Sequence, residues 1–396
     1  FISRPRRFGK SLLVSTLKSI FRGERELFDG LAIAPTDDDW QRYPVIYLDL
    51  GSVQADSAGD LKTKLQRSVG RSAEDNDCVV TAGDAASAFQ DLIRALHRKH
   101  GPVVILVDEY DKPLLGHLGQ KSVEEIQRVL KGYYSVIKTT EASQRFALLT
   151  GVSKFATVSI FSDLNNLTDL TMHPPAATLP DYTQEELKKN FVEHIEALAA
   201  TLGLTVARTM DKLRRWYNGY RFHHEGPSVY NPISVMKCFD FGEMKNDWFE
   251  TGTPTFLLNL LKHEPMDLED LTAPETAFSS CEPTGLHPLP LLVQTGYLTI
   301  RGAEQVCDMH YYHLDYSNRA IEQSVSYWVA RDLTAPGEPA VSGALRRLVA
   351  ALQQGRVDEM LEQLNTFLPR CLTPSPSTSR STTRRSSSPS SNSPAP

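Results

Sequence analysis

Residues 1–13 read FISRPRRFGKSLL, and the fold turns on positions 4–11, RPRRFGKS. A phosphate-binding loop usually reads GxxxxGK[ST] and opens a helix. Here Gly9, Lys10 and Ser11 fill the second half, and Arg4 stands where the first glycine belongs. Each surviving residue has a physical job. Gly9 lets the backbone come close to a phosphate, Lys10 offers a point charge to the β- and γ-phosphates, and Ser11 offers a hydroxyl to Mg²⁺. The amides at the start of the following helix add the positive end of its dipole. The missing first glycine costs conformational freedom, which is tolerable if Arg4 sits in an allowed region, with Pro5 fixing the next φ. The bland alternative is a GKS tripeptide that merely starts a helix.

Outward from the loop, KSLLVSTLKSIFR (10–22) has apolar residues at helical spacing. YPVIYLDL (43–50) reads as a buried strand, with helices expected at about 59–70 and 85–99. GPVVILVDEYD (101–111) is a continuous apolar run ending in acids, the pattern of a central parallel strand. A helix is expected over about 122–138, then a buried strand at RFALLTGVS (145–153). Strands alternating with helices predict a parallel α/β sheet with right-handed crossovers. Only Phe1 and Ile2 stand where a strand should precede the loop, so the sequence reads as a fragment shortened at its N-terminus.

VVILVDEYD, an apolar strand ending in Asp-Glu, supplies the second motif. Asp108 would hold Mg²⁺ through water, and Glu109 would orient or deprotonate an attacking water. A strand that simply ends in solvated acids is the alternative. The two motifs lie 98 residues apart, from Lys10 to Asp108, inside one α/β alternation, and together they favour nucleotide binding. ALLTGVSK (147–154) places Thr150 and Ser153 at the end of a neighbouring strand, where they are candidate γ-phosphate sensors, or a plain turn at Gly151. The expected nucleotide-binding stretch is Arg6, Arg7, Phe8, Gly9, Lys10, Ser11 and Leu12, with Ser11 and Asp108 as metal ligands. Arg6 and Arg7 are equally readable as a solvated basic turn. Arg145, Arg214, Arg215 and Arg221 are possible sensor or trans-acting arginines, with no basis for choosing among them.

Two further constellations are weaker. Cys307, His310, His313 and Asp315 resemble a metal cluster, but on a strand His310 and His313 point to opposite faces. Trp216, Tyr217 and Tyr220 could stack a base, yet at helical spacing they fit a core better.

From Tyr182 the pattern changes. Thr183 and Glu186 form a capping box ahead of an amphipathic helix. LLVQTGYLTIRG…YYHLDYSN reads as a short helix and two strands, a winged-helix-like unit with Gly296 at the turn. Residues 372–396 are Ser/Thr/Pro-rich with three arginines and no acid, which predicts a disordered tail, whether native or from an altered reading frame. The expected division is 1–180 core, 181–330 helical and winged-helix-like region, 331–370 helical segment and 371–396 tail. A net charge of −6 argues against a uniformly basic protein. No apolar run reaches the length needed to span a bilayer, and five scattered cysteines without a CxxC pair fit a reducing compartment. A soluble, intracellular and most simply cytoplasmic protein is expected.

The stretches SRPRRFGKSLL, YPVIYLDL, ILVDEYDKPL, LLTGVSKF, SIFSDLNNLTDLT, WYNGYRF, VYNPISV and LLVQTGYLTI, in this order, resemble the AAA-ATPase-like family of P-loop proteins. The resemblance covers about residues 1–330 and implies that RPRRFGKS is the family form of the loop. It implies a P-loop NTPase three-layer sandwich, ATP with Mg²⁺, and the same residues: Gly9, Lys10 and Ser11 in the loop, Asp108 and Glu109 on the strand. The family usually adds a PD-(D/E)XK nuclease-like domain, and after about residue 366 no strand-borne D…(D/E)xK pattern is found. The leading expectation is slow Mg²⁺-dependent ATP hydrolysis driving a conformational switch. The alternatives are a nucleotide-sensing scaffold that does not hydrolyse, or a nucleic-acid-associated module, the remnant of an ATPase-nuclease fusion. Self-association or a protein partner is possible on either reading.

Overall fold

The central strand follows directly from its sequence. Val103–Asp108 (β3) is buried along its whole length, as a strand covered on both faces must be. It lies inside a four-stranded sheet of order β1-β4-β3-β2, with β1 Ile2–Ser3, β2 Val45–Asp49 and β4 Gln144–Gly151. Every pairing is parallel. The register sets Asp49 beside Asp108, and Ile2 beside Thr150. The carboxyl ends of the strands therefore gather the chemistry at one edge, where α/β sheets bind ligands. The structure, a computed structural model, describes residues 1–36, 40–80, 83–118, 120–154, 166–246, 271–279 and 288–325.

Helix α1 (Lys10–Phe21) packs on one face, where Val14 joins Ile2, Val45, Val104, Leu106 and Leu148 in a buried cluster. The pleat sends Ile105 and Val107 to the other face. Helices α2 (Ala58–Glu74), α3 (Ala85–His100) and α5 (Val123–Thr139) pack on one another, with α3 against β3. A short α4 (Lys112–Leu115) precedes α5. The result is the expected α/β P-loop architecture. Ser57 caps α2 by accepting from the Asp60 amide, and Asp84 caps α3 by accepting from Ala86 and Ser87. α1 has no such cap.

Helices α6 (Gln184–Asn190), α7 (Val192–Leu202), α8 (Val206–Tyr217) and α9 (Pro232–Phe241) follow. The Thr183–Glu186 capping box forms as expected. Leu187, Ile195, Leu198, Leu213, Tyr217 and Tyr230 build a second core, with Trp216 packed on its edge. Tyr220 is buried as well, so all three aromatics read as core contribute to packing.

A buried helix at Pro288–Gln294 then leads through Gly296, at φ 85°, into an antiparallel pair, β6 (Leu298–Val306) and β7 (Met309–Tyr316). The helix and two strands match the sequence reading. A third strand, β5 (Thr272–Pro274), pairs with β7 and had no sequence signal. Residues Phe1–Ser324 form one compact unit, which spans the boundary expected at 180/181. The expected 331–370 helical segment and 371–396 tail lie outside the described residues, as does most of SDLNNL (162–167). Among the described residues no helix is long and apolar enough to cross a membrane.

Candidate nucleotide site

The loop leaves β1 and enters α1 through Gly9, whose φ of 69° lies in the left-handed region. Any Cβ there would also approach the Pro180 carbonyl oxygen to 3.3 Å, so both conformation and space select glycine. Arg7 holds a positive φ too, at 69°. α1 begins with no side-chain cap and no acid in its first turn. Its first amides point out of the helix end without a protein acceptor from a capping side chain, the arrangement that suits a phosphate.

Arg4 explains the missing first glycine. Its side chain is fully buried. Nε donates to the Leu179 carbonyl at 2.7 Å, Nη1 to those of Ser3 and Thr171 at 2.9 and 2.8 Å, and Nη2 to that of Ala176 at 2.6 Å. The guanidinium also lies 4.0 Å from the centre of the Phe222 ring. Burial pulls its pKa down to about 10, against the opposing charges of Asp181 and Asp169. Arg4 is a brace from the loop to segment 171–181, in a planar fork geometry that lysine cannot reproduce.

The Phe8 ring turns inward. Expected among the nucleotide-binding residues, its ring is fully buried and packs edge-on against Tyr220 and Phe222, at 4.7 and 5.7 Å between centroids. Only its backbone is left for a ligand. Arg6 is half-buried and makes no hydrogen bond or ion pair among the described residues, while Leu12 is 68% exposed beside the helix start.

Lys10 is buried and donates to the carbonyls of Arg4 and Pro5 at 2.9 and 2.8 Å, which closes the loop on itself. Burial lowers its pKa, and the charges of Asp111, Glu109, Asp108 and Asp181 pull the other way. The lysine therefore lies within electrostatic reach of these four carboxyl groups. Asp108 ends β3 with Oδ1 accepting from Thr150 Oγ1 at 2.5 Å and from the Glu109 amide at 3.0 Å. No hydrogen bond engages Asp108 Oδ2, the Glu109 carboxylate or the Ser11 hydroxyl among the described residues. Glu109 holds a positive φ of 50°, rare for a residue with a side chain and concentrated at working sites.

The candidate sensors are placed differently from the expectation. Thr150 and Ser153 are both fully buried, and both hydroxyls are already donated to carboxylates. Ser153 Oγ binds Asp111 Oδ2 at 2.7 Å, and the amides of Val152 and Ser153 converge on the same carboxylate. These hydroxyls orient the acids and do not reach outward. Asp111 was missed as a functional residue, although it stands three positions after Asp108 in the quoted strand. It is fully buried, and burial raises its pKa against the bonds from Ser153 and Val152. Asp181 was missed as well, and the sequence around it gave no signal.

The arginines proposed as sensors are scattered. Arg145 donates to the Tyr43 hydroxyl at 3.3 Å, and Arg221 to the Arg301 carbonyl at 3.1 Å. Arg214 and Arg215 lie in the last turn of α8. Cys307, His310, His313 and Asp315 do not converge on a point: His313 faces Glu304, at 3.7 Å, and Asp315 faces Arg301.

Comparison with known proteins fits this geometry. Residues 1–161 match a family described as Predicted AAA-ATPase. A protein of Azotobacter chroococcum mcd 1, described as an uncharacterized protein in the vnfD 5′ region, is 37% identical over 331 residues, which cover 82% of this chain and 62% of the relative. The chain thus spans less than two thirds of that relative's length. Among solved structures, the Aeropyrum pernix ORC2 protein in ADPNP and ADP complexes aligns at 12% identity, over 82% of this chain and 86% of that one, with a TM-score of 0.35. The ORC1 protein of the same organism, in complex with DNA, aligns at 14% identity over 72% and 78%, with a TM-score of 0.24. Likenesses this remote carry no functional weight.

Proposed function

With residues 1–161 matching a family described as Predicted AAA-ATPase, we propose that the chain binds ATP at the start of α1 and hydrolyses it slowly. One observation carries the reading: an uncapped helix start, Ser11, Asp108 Oδ2 and Glu109 are left unengaged around a buried lysine. The loop amides and Lys10 take the β- and γ-phosphates. Glu109 holds the attacking water and accepts its proton.

Mg²⁺ fits the donor set. Ser11 and Asp108 supply hard oxygen ligands of the kind this ion takes alongside phosphates. When bound, the ion neutralises charge on the phosphates. Thr150 keeps Asp108 aimed by holding its Oδ1, and Ser153 does the same for Asp111.

Hydrolysis would be felt downstream through Arg4 and Phe8, which tie the loop to Tyr220 and Phe222. That linkage supports a conformational switch acting on the helical region and on the helix-and-hairpin unit, which we read as winged-helix-like. Glu109→Gln tests the assignment. It should keep ATP binding within about threefold and lower turnover by about 10²–10⁴, the usual worth of a general base. Turnover at the wild-type rate would remove Glu109 from its role, while binding with no turnover in the wild type would favour a nucleotide-sensing scaffold.

A further inference from the structure

Tyr220 and Val229 close a narrow antiparallel hairpin, and Phe222 within it carries the ring under Arg4. The next residues are His223, His224 and Glu225. One nitrogen of each imidazole and a carboxylate oxygen of Glu225 lie within 4.8 Å of one another. Among the described residues this is the one such cluster.

One feature beside the cluster points to a missing ligand. The Nδ1 atom of His224 is buried and has no hydrogen-bond partner, a costly state that a native structure does not keep without cause. The Glu225 amide donates to Nδ1 of His223 over 3.2 Å, which occupies that lone pair and leaves Nε2 as the nitrogen of this ring free to ligate. The His224 ring also lies 5.9 Å from that of His310 on β7.

We propose that His223, His224 and Glu225 form a binding site for a first-row divalent cation of the zinc class, with His310 as the nearest further nitrogen donor. Two imidazoles and one carboxylate suit Zn²⁺, whereas Mg²⁺ and Ca²⁺ prefer all-oxygen shells. Tetrahedral Zn²⁺ places its ligands roughly 3.4 Å apart. The cluster reaches that spacing by rotation of the exposed Glu225 side chain and a small turn of the two rings, whose centroids are 4.4 Å apart. A cation held there joins the hairpin to β7, while Arg4 and Phe8 hold the same hairpin to the phosphate loop. The site is separate from Ser11 and Asp108, and its test needs no nucleotide.

The full chain, stripped with a chelator, is titrated with Zn²⁺ in excess Mg²⁺, and with Co²⁺ for its visible absorption. One ion per chain is expected, with the intense visible bands of four-coordinate Co²⁺. Affinity should fall about tenfold or more in Glu225→Gln and His224→Gln, and stay unchanged in Cys307→Ser and His313→Gln. Glu225 is exposed, so its variant keeps the fold and isolates ligation from stability. Failure of the folded chain to take up one ion, or equal uptake by wild type and both ligand variants, would overturn the proposal.

Discussion

The ring of Phe8, inside the phosphate loop, meets the ring of Tyr220 edge-on at 4.7 Å, with an interplanar angle of 82°. This contact joins residues more than two hundred positions apart, and both rings are buried. With Arg4 over Phe222, it fixes the shape of the loop from outside the sheet.

Phe8→Ala should therefore destabilise the protein by about 3–5 kcal/mol, the usual cost of removing a buried phenyl ring. A double-mutant cycle with Tyr220→Leu should return a coupling of about 0.5–1.5 kcal/mol, the increment expected of an aromatic pair beyond burial. Urea unfolding measures both. Additive effects would mean that the contact is incidental.

Gly151 ends β4 against Tyr110 and Asp111. A Cβ there would lie 2.5 Å from the Tyr110 ring and 2.6 Å from Asp111 Oδ1. Neither neighbour can yield, since Tyr110 donates its hydroxyl to the Ser153 carbonyl at 2.7 Å and Asp111 is held by three donors. Gly151→Ala should cost about 1–3 kcal/mol and reduce nucleotide binding with it. Gly132 in α5 has open space around it, and Gly132→Ala should instead stabilise by about 0.4–1 kcal/mol. Thermal unfolding of the pair separates the crowding at Gly151 from a general response to lost glycine.

Much of this was legible in the sequence for a physical reason. β3 is buried along its whole length and β4 over its last four residues, so apolarity marks them, and GKS with the acid-ended strand marks the edge of the sheet that the loop reaches. The roles of Arg4 and Phe8 were not legible, because their partners at 171–181 and 220–222 are distant in sequence and no local period encodes the contact. Thr150 and Ser153 were correctly placed at a strand end. Their hydroxyls turn toward Asp108 and Asp111 because each buried acid needs a donor more than solvent does. β5 is too short to show alternation, and Asp181 follows a Leu-Pro pair that says nothing of Lys10.

Asp181 gives a pH test. Its carboxyl is buried, neither oxygen accepts a hydrogen bond among the described residues, and Arg4 approaches only to 3.8 Å. Burial raises its pKa well above the ordinary 3.8, against the pull of Arg4 and Lys10. The native state therefore keeps a proton that the unfolded chain releases. Stability from this group falls as pH rises from that ordinary value through the raised native pKa. Asp181→Asn does not titrate. Its stability relative to wild type should be lowest near pH 4 and rise with pH, to a gain of about 1–3 kcal/mol at neutral pH. Urea unfolding across that range checks the sign. A wild type that gains on the variant as pH rises would mean that the ion pair with Arg4 dominates.

Calorimetric titration of the chain with Mg²⁺-ATP, beside Lys10→Ala, decides whether RPRRFGKS works as a phosphate loop. A working loop gives one site in the wild type and a loss of at least about tenfold in affinity in the variant, equivalent to about 1.4 kcal/mol of binding free energy, with the fold intact by circular dichroism. Equal binding by both folded proteins, or none by a folded wild type, would contradict it.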